Sequence, residues 1–260
     1  MLKLVVSDID GTLLVDGKRE LSDEIYNIIL ELKKRGIFFV AASGRQLTNM
    51  RKLFEPITDE VFYIAENGAI CQWEKEPKVL FEFERELAVR ILREVEKFPD
   101  CKVGVSTPST QYIKSGDGEF YDYMTGYVKY HTTTIDSFEN IQEPILKIAF
   151  YNEEKLDEHY EYFKSMFEKE TRVAKAGNGW VDFISFDSNK GTGVKFLLEK
   201  LGIATDEVVC FGDQQNDMEM LELFELSYAM EHAKSDVKKS ATYTTCSVEK
   251  TLREMLEQES

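Results

Sequence analysis

The chain has 260 residues, of which 43% are hydrophobic and 31% charged, and this is the composition of an ordinary globular protein. The length is enough for one large domain or two modest ones. Acidic residues outnumber basic residues by 48 to 32, which gives a net charge of −16. Because nucleic acids and anionic membranes attract basic surfaces, this charge argues against either as a general partner.

Cysteine and histidine spacing argues against a zinc site or a disulfide framework. No C-x-x-C pair is present, and the three histidines are scattered along the chain. We therefore expect the thiols to be small buried residues in a reducing compartment. The N-terminal apolar run meets Asp8 too early for a signal peptide, and no apolar stretch approaches 18 residues. These patterns predict a cytoplasmic protein. The cysteines are Cys71, Cys101, Cys210 and Cys246.

The first 65 residues alternate between predicted strands and a predicted helix. Residues 2–6 and 37–42 are continuous apolar runs, which is typical of buried parallel strands. Between them Ser22 is suited to cap a helix N-terminus, and Gly36 is suited to end that helix. A third strand is predicted at 61–65. The apolar stripe of the helix is Ile25, Ile28, Ile29 and Leu32. This strand–helix–strand order predicts a parallel sheet.

The pattern changes after about residue 83 and returns near Lys190. The middle segment predicts an α+β unit inserted into an α/β domain. We therefore expect a core domain at 1–82 and 188–260 and a cap domain at 83–187. The middle elements are a helix marked by Leu87, Ile91, Leu92, Val95 and Phe98, strands at 102–106, 145–151, 171–176 and 180–186, a helix at 153–170, and a turn at Gly177-Asn178-Gly179. After the insertion come a helix at 192–201, a strand at 207–211 and a helix at 248–256.

Two carboxylates follow the first predicted strand. Asp8 and Asp10 stand two positions apart, so both can face one crevice at the carboxyl end of the sheet, where α/β proteins bind ligands. Gly11 allows the chain to turn away sharply. Crowded carboxylates repel one another unless a cation neutralises them, and Mg²⁺ prefers oxygen ligands. Taken alone, the D-x-D-G segment is more typical of a solvent-exposed turn than of a metal site, because Asp and Gly are common in turns.

Polar groups also follow two further predicted strands, and another precedes a predicted helix. In GDQQND, Asp213 and Asp217 lie about one helical turn apart, and either can alternatively cap a helix. The Ser43-Gly44-Arg45 segment offers a hydroxyl and backbone N–H groups to phosphoryl oxygens, or a helix cap. Lys190 places an ammonium group near a helix start. Four separate segments thus present polar groups of a suitable kind. One shared site explains all four at once, whereas helix capping would have to be invoked separately for each.

These segments resemble a known family. DIDGTLL (residues 8–14), ASGR (42–45), NKG (189–191) and GDQQNDMEM (212–220) are similar, in order and spacing, to motifs one to four of the haloacid dehalogenase (HAD) superfamily. ENGA (66–69), the insertion and AMEHAKSDVKKSA (229–241) resemble Cof-type phosphatases with a C2 cap, most like C2B. Glu231 and His232 depart from this pattern, since relatives commonly carry Gly-Asn there. The resemblance implies a HAD-like Rossmannoid, doubly wound parallel sheet with an inserted α+β cap.

The resemblance also implies a role for each matched residue. Asp8 would be the nucleophile that forms an aspartyl-phosphate, and Asp10 the general acid and base. The phosphoryl group would be bound by Ser43, Gly44, Arg45, Lys190 and Asn216. Mg²⁺ would be held by Asp8, the backbone carbonyl of Asp10, and Asp213, with Asp217 orienting a metal-bound water. The expected activity is Mg²⁺-dependent hydrolysis of small phosphorylated metabolites, with sugar phosphates as the usual class.

Two other functions use similar residues. A phosphosugar mutase shares the nucleophile but returns the phosphoryl group to a sugar. A non-enzymatic phospho-acceptor of the receiver type also uses clustered aspartates with Mg²⁺, although such domains are about half this length. No strand here leads into G-x-G-x-x-G, so dinucleotide binding is poorly supported.

Overall fold

The computed structural model describes residues 1–176 and 179–258. The chain forms two compact units. The first unit combines Met1–Leu80 with Asn189–Ser260, and the inserted unit is Phe81–Ser188. The sequence places the divisions at 82/83 and 187/188. That the two units act as a core domain and a cap domain stays a prediction.

The strands and helices alternate through the first unit and cluster in the inserted unit. In chain order the strands are β1 (Leu4–Ser7), β2 (Phe38–Ala42), β3 (Val61–Ala65), β4 (Ile70–Gln72), β5 (Lys78–Val79), β6 (Lys102–Ser106), β7 (Gln111–Lys114), β8 (Thr132–Ile135), β9 (Lys147–Tyr151), β10 (Arg172–Lys175), β11 (Trp180–Ile184), β12 (Val208–Gly212), β13 (Leu226–Met230) and β14 (Tyr243–Thr245). The helices are α1 (Asp23–Lys34), α2 (Leu47–Leu53), α3 (Arg85–Val95), α4 (Gly118–Asp122), α5 (Leu156–Phe167), α6 (Lys190–Leu201), α7 (Met218–Leu221), α8 (Ser235–Lys239) and α9 (Val248–Gln258).

The sheet of the first unit has the order β14-β13-β12-β1-β2-β3-β4-β5 in the described part of the chain. The strands from β14 to β3 pair in parallel, and β4 and β5 continue the sheet antiparallel. The chain crosses from β1 in both directions, which makes the sheet doubly wound. The predicted α/β fold class is therefore confirmed, with an antiparallel extension that the sequence analysis missed.

Helix α1 shows how local signals set these elements. The Ser22 hydroxyl oxygen accepts a hydrogen bond from the backbone N–H of Ile25 at 3.2 Å, which caps the helix as predicted. All four residues of the apolar stripe are buried. Gly36 follows the helix with φ +76°, a conformation that glycine adopts without strain.

The register of the central strands places their carboxyl ends side by side. Ser7, the last residue of β1, lies opposite Phe211 of β12 and Ala41 of β2. The polar residues that follow these strands therefore emerge at one edge of the sheet. β1 pairs with β12 on one side and β2 on the other, and all of its residues are buried.

The inserted unit contains a second sheet, with the order β10-β11-β9-β6-β7-β8 in the described residues. Its strands are antiparallel except for β7 and β8. One face packs on α3 and α5 through a core that includes Ile91, Phe150 and Phe163. The α+β prediction for this segment is confirmed. β10 and β11 pair antiparallel as expected, but residues 177 and 178 of the predicted turn lie outside the described residues.

Several local expectations differ from the structure. Helix α3 ends at Val95, before Phe98, and α5 is shorter than the predicted 153–170. Cys71, Cys101 and Cys210 are buried free thiols as expected, whereas Cys246 is exposed, so the expectation of a buried residue is wrong there. Its position just after the edge strand β14 accounts for the exposure. None of the described helices is both long enough and apolar enough to cross a membrane.

Candidate active site

Asp8 lies immediately after β1 and is buried. Its Oδ1 accepts a hydrogen bond from Nζ of Lys190 at 2.5 Å. Its Oδ2 is also buried and has no hydrogen-bond partner in residues 1–176 and 179–258. A buried carboxylate oxygen without a partner is costly unless a ligand completes it. A ligand bound here would complete the bonding of this atom.

Lys190 is the first residue of α6 and is fully buried. The side chain of the capping residue Asn189 accepts a hydrogen bond from the backbone N–H of Thr192 at 2.8 Å. In return, the backbone N–H of Asn189 donates to Oγ1 of Thr192 at 3.2 Å. Lys190 Nζ lies 2.5 Å from Asp8 and 2.6 Å from Oδ1 of Asp217. Burial alone would lower the pKa of Lys190, but attraction to Asp217 and Asp8 outweighs it and raises the pKa. The lysine therefore stays charged.

Asp217 shapes the loop after β12. Its Oδ2 accepts from the backbone N–H groups of Asp213 and Gln214, both at 2.9 Å, while its Oδ1 accepts from Lys190. The two oxygens together fix the loop and the ammonium group. Sequence spacing placed Asp213 and Asp217 on one helix turn. The structure instead has a 3₁₀ turn over Gln215–Asp217, and the α-helix begins at Met218.

Asp213 is buried and held by side chains. Its Oδ1 accepts from Oγ1 of Thr12 at 2.9 Å, and its Oδ2 accepts from Nε2 of Gln214 at 2.8 Å. Gly11 packs against it with φ +87°, and a Cβ at this position would overlap Oδ2 of Asp213. Glycine is therefore required at position 11 both by the backbone conformation and by the space.

The structure brings three carboxylates together. Asp8, Asp213 and Asp217 each offer an oxygen, and these atoms lie within 4.8 Å of one another. Burial raises the pKa of Asp8 well above its usual value; Lys190 opposes this, and the negative charges of Asp217 and Asp213 add to it. One lysine cannot balance three anions. The group therefore has the charge and the oxygen donors of a divalent-cation site.

Asp10 is placed differently from Asp8. Its side chain is 55% exposed, and both of its oxygens accept from the guanidinium of Arg45, at 2.7 Å from Nε and 2.6 Å from a terminal nitrogen. Ser43 is buried, and its Oγ accepts from the backbone N–H of Arg45 at 3.2 Å. The cap of α2 is Gln46, so Ser43 is not used as a helix cap.

Asn216 and Gly44 meet a residue that the sequence analysis did not select. Asn216 Nδ2 donates to Oδ1 of Asn67 at 2.9 Å, and a Cβ on Gly44 would lie 3.1 Å from the Asn67 amide. Asn67 has φ +54° and belongs to the ENGA segment. The sequence analysis uses that segment only to identify the family. A sharp turn directly after a strand was nevertheless a signal that Asn67 lies at the site.

His232 is a second neighbour that the sequence analysis did not place in the site. Its Nε2 lies 3.4 Å from Oδ2 of Asp213, and about half of its side chain is exposed. Thr12, within DIDGTLL, is a third such residue, through its bond to Asp213. The departure at Glu231-His232 from the family pattern was the readable signal for His232.

The chain is similar to known proteins over most of its length. The family model of haloacid dehalogenase-like hydrolases matches residues 5–251. The chain is 29% identical over 247 residues to the 5-amino-6-(5-phospho-D-ribitylamino)uracil phosphatase YbjI of Escherichia coli, covering 93% of this chain and 90% of that protein. It is 27% identical to the phosphatase YwpJ of Bacillus subtilis, covering 94% of each.

Solved structures show the same fold. A crystal structure of a Eubacterium rectale protein superposes with a TM-score of 0.90 at 29% identity, covering 98% of this chain and 99% of that one. The resemblance read from the four motifs is confirmed, as is the prediction of a phosphomonoester hydrolase. With its family model spanning nearly the whole sequence, the chain belongs to the haloacid dehalogenase-like hydrolases.

Proposed function

We propose that this protein is a Mg²⁺-dependent phosphatase that hydrolyses small phosphorylated metabolites through an aspartyl-phosphate on Asp8. The observation that carries the proposal is the state of that carboxylate. Its Oδ1 is bound by Lys190, while its Oδ2 is buried and lacks a hydrogen-bond partner in the described residues. One oxygen is thus held in place and the other is available to attack.

The covalent route divides one difficult displacement into two easier ones. In the first step Asp8 Oδ2 forms a bond to phosphorus while the bond from phosphorus to the leaving oxygen breaks. In the second step water attacks the same phosphorus, the bond from phosphorus to Asp8 Oδ2 breaks, and inorganic phosphate leaves as the carboxylate is regenerated. Lys190 offsets the repulsion between the anionic nucleophile and the anionic phosphate, because it is buried and keeps its charge.

The donor set fits Mg²⁺. The three clustered carboxylates supply hard oxygen donors that lie within 4.8 Å of one another. Asp8 and Asp213 would hold the ion together with the backbone carbonyl of Asp10, and Asp217 would orient a bound water. An ion held there would neutralise phosphoryl charge and supply Lewis-acid chemistry. Thr12, at Oδ1, and His232, at Oδ2, would hold the carboxylate of Asp213 in its orientation.

The remaining assignments follow the motifs. Asp10 would protonate the leaving oxygen in the first step and remove a proton from the attacking water in the second. The phosphoryl oxygens would be bound by Ser43, the backbone at Gly44, and Asn216, in addition to Lys190. The assignment of Arg45 to this group stays a prediction, since its guanidinium is engaged with Asp10.

Sugar phosphates and related alkyl phosphates are the proposed substrate class. Relatives of this chain in Escherichia coli and Bacillus subtilis are 5-amino-6-(5-phospho-D-ribitylamino)uracil phosphatases, and their substrate is the phosphate ester of a sugar alcohol. An alkoxide is a poor leaving group and needs protonation, which agrees with the assignment of Asp10 as general acid.

The test is a screen of phosphate release across phosphorylated metabolites, with Mg²⁺ or with EDTA. We expect release that requires Mg²⁺, and a hydroxylamine-sensitive phosphoenzyme in acid-quenched samples. Asp8→Asn should abolish both signals, whereas Asp59→Asn, a change on the surface, should leave them intact. Turnover by Asp8→Asn near the wild-type rate would exclude the nucleophile assignment. Activity that depended on an added sugar bisphosphate would indicate a mutase instead.

A further inference from the structure

The guanidinium of Arg45 holds the carboxylate of Asp10 with two hydrogen bonds. The distances are 2.7 Å from Nε to Oδ2 and 2.6 Å from the terminal nitrogen to Oδ1. This fork matches the geometry of a carboxylate and fixes the plane of the carboxylate as well as its position. A lysine ammonium at the same position would act as a point charge and would leave that plane free.

Arg45 itself is anchored on the sheet edge. Its backbone N–H donates to Ser43 Oγ, and its backbone carbonyl accepts from the N–H of Glu66 at 3.0 Å. Its other terminal nitrogen donates to Oδ1 of Asn49, on α2, at 3.1 Å. The side chain therefore reaches from the end of β2 to the segment after β1, with both of its ends fixed.

Asp10 needs such an anchor more than Asp8 does. Asp8 is buried, whereas the Asp10 side chain is 55% exposed and precedes Gly11, whose φ is +87°. An exposed carboxylate on a turn is free to sample several rotamers. Proton transfer requires the donor oxygen within hydrogen-bond reach of the leaving oxygen, and small misplacements are costly.

We propose that Arg45 is the positioning residue of the general acid, and that it acts on the reaction through Asp10 rather than by binding the phosphoryl group. This inference rests on the proposed function. The proton on the Asp10 carboxyl passes to the leaving alkoxide as the bond from phosphorus to that oxygen breaks, and Asp8 Oδ2 takes the phosphoryl group. Arg45 transfers nothing; it holds the carboxyl group in line.

Leaving-group dependence separates the two roles of Arg45. An alkyl phosphate needs the general acid, whereas p-nitrophenyl phosphate releases a stable phenolate and hardly needs it. Both substrates carry the same phosphoryl group, so a residue that binds this group affects them equally. The informative quantity is kcat/KM, because it covers the steps up to transfer to Asp8 and leaves out hydrolysis of the phosphoenzyme.

The experiment compares wild type, Arg45→Gln, Arg45→Lys, Asp10→Asn and the double variant Arg45→Gln/Asp10→Asn. The substrates are p-nitrophenyl phosphate and the sugar phosphate that the screen ranks first. Arg93→Gln is the matched control, because it removes an exposed guanidinium–carboxylate pair with Glu139 in the inserted unit. The pair of Arg45 with Asp10 is itself partly exposed, so its loss should leave folding intact.

We expect Arg45→Gln to lower kcat/KM for the sugar phosphate about 10–100-fold and for p-nitrophenyl phosphate less than about threefold, with Arg45→Lys between wild type and Arg45→Gln. In the Asp10→Asn background the same change should cost less than about threefold on the sugar phosphate, because a residue that acts through Asp10 has nothing left to position. Arg93→Gln should match wild type on both substrates.

The inference is wrong if Arg45→Gln loses as much on p-nitrophenyl phosphate as on the sugar phosphate, if it loses nothing, or if its effect adds in full to that of Asp10→Asn. Failure of the proposed function looks different. In that case wild type releases no phosphate from either substrate, or Asp8→Asn remains active, whatever the residue at position 45.

Discussion

Replacing Lys190 with methionine tests the electrostatics of the site in the absence of substrate. Methionine has a similar length and keeps the apolar part of the side chain, so the change mainly removes the charge. In wild type that charge lies 2.5 Å from Asp8 and 2.6 Å from Asp217, and all three side chains are buried. Lys190→Met leaves both carboxylates without their ammonium partner.

Removing one partner of a buried ion pair costs about 3–5 kcal/mol, because the other partner stays in a low-dielectric environment. Lys190 serves two carboxylates, so the upper part of this range is expected. A loss of this size is a large fraction of the about 5–15 kcal/mol that stabilises a typical protein. A divalent cation supplies the missing charge, so Mg²⁺ should restore more stability to the variant than to wild type.

The assay is urea unfolding followed by the fluorescence of Trp73, which packs edge-on against Phe196 of α6 at 5.4 Å. The other tryptophan lies in the inserted unit, so both proteins carry Trp180→Phe. The free energy of unfolding of wild type and of Lys190→Met is measured in EDTA and in Mg²⁺. Lys195→Met, an exposed change on the same helix, should stay within about 0.5 kcal/mol of wild type. A loss below about 1 kcal/mol for Lys190→Met in EDTA would refute the reasoning.

Three further predictions concern a glycine, a buried acid and a thiol. Gly11→Ala should cut turnover by at least about 10²-fold, because its Cβ displaces Asp213, whereas Gly17→Ala, which also has positive φ but has open space around it, should lose only stability, about 1–2 kcal/mol. Burial raises the pKa of Asp182, so the folded chain binds that proton more tightly than the unfolded chain, and its contribution to stability falls as pH rises above the usual aspartate range. The difference in Tm between Asp182→Asn and wild type, variant minus wild type, should therefore increase from pH 4 to pH 7. A decrease would contradict the raised pKa of Asp182. Native protein should show one thiol that reacts rapidly with DTNB, and Cys246→Ser should remove it; rapid reaction of a second thiol would contradict the burial of the others.

The parts of the site that the sequence predicted are those encoded locally. An apolar run followed by Asp-x-Asp-Gly states where β1 ends and which carboxylates follow it. The same holds for β12 and the segment that begins with Asp213. Because parallel strands end at one edge, local signals of this kind place distant residues together without knowledge of their contacts. The convergence of Asp8, Asp213 and Asp217 was predictable for this reason.

The parts that were missed depend on partners far along the chain. β4, β5, β7 and β8 have two to four residues each, too few for a periodic pattern, and they exist because a neighbouring strand pairs with them. The direction of a side chain is likewise set by tertiary contacts. Sequence spacing placed Asp10 beside Asp8, whereas the guanidinium of Arg45 turns its carboxylate toward the end of β2.

Helix α6 shows an intermediate case. Its stripe predicted the helix, but the predicted start at 192 was two residues late, since Lys190 is its first residue. The readable signal was Asn189 with Thr192, a capping pair that fixes the start. The difference matters because it makes Lys190 part of the first turn, where the helix itself orients the side chain.

The central position of β1 has a consequence for how the chain is made. β1 is among the first segments to leave the ribosome, yet one of its two neighbours is β12, and the partners Thr12 and Asp213 are 201 positions apart. Until β12 emerges, the edge of β1 that pairs with it has no partner strand, and the proposed site residues are split between segments on either side of the inserted unit. The inserted unit is continuous in sequence, so during translation it is complete before the first unit can close its sheet.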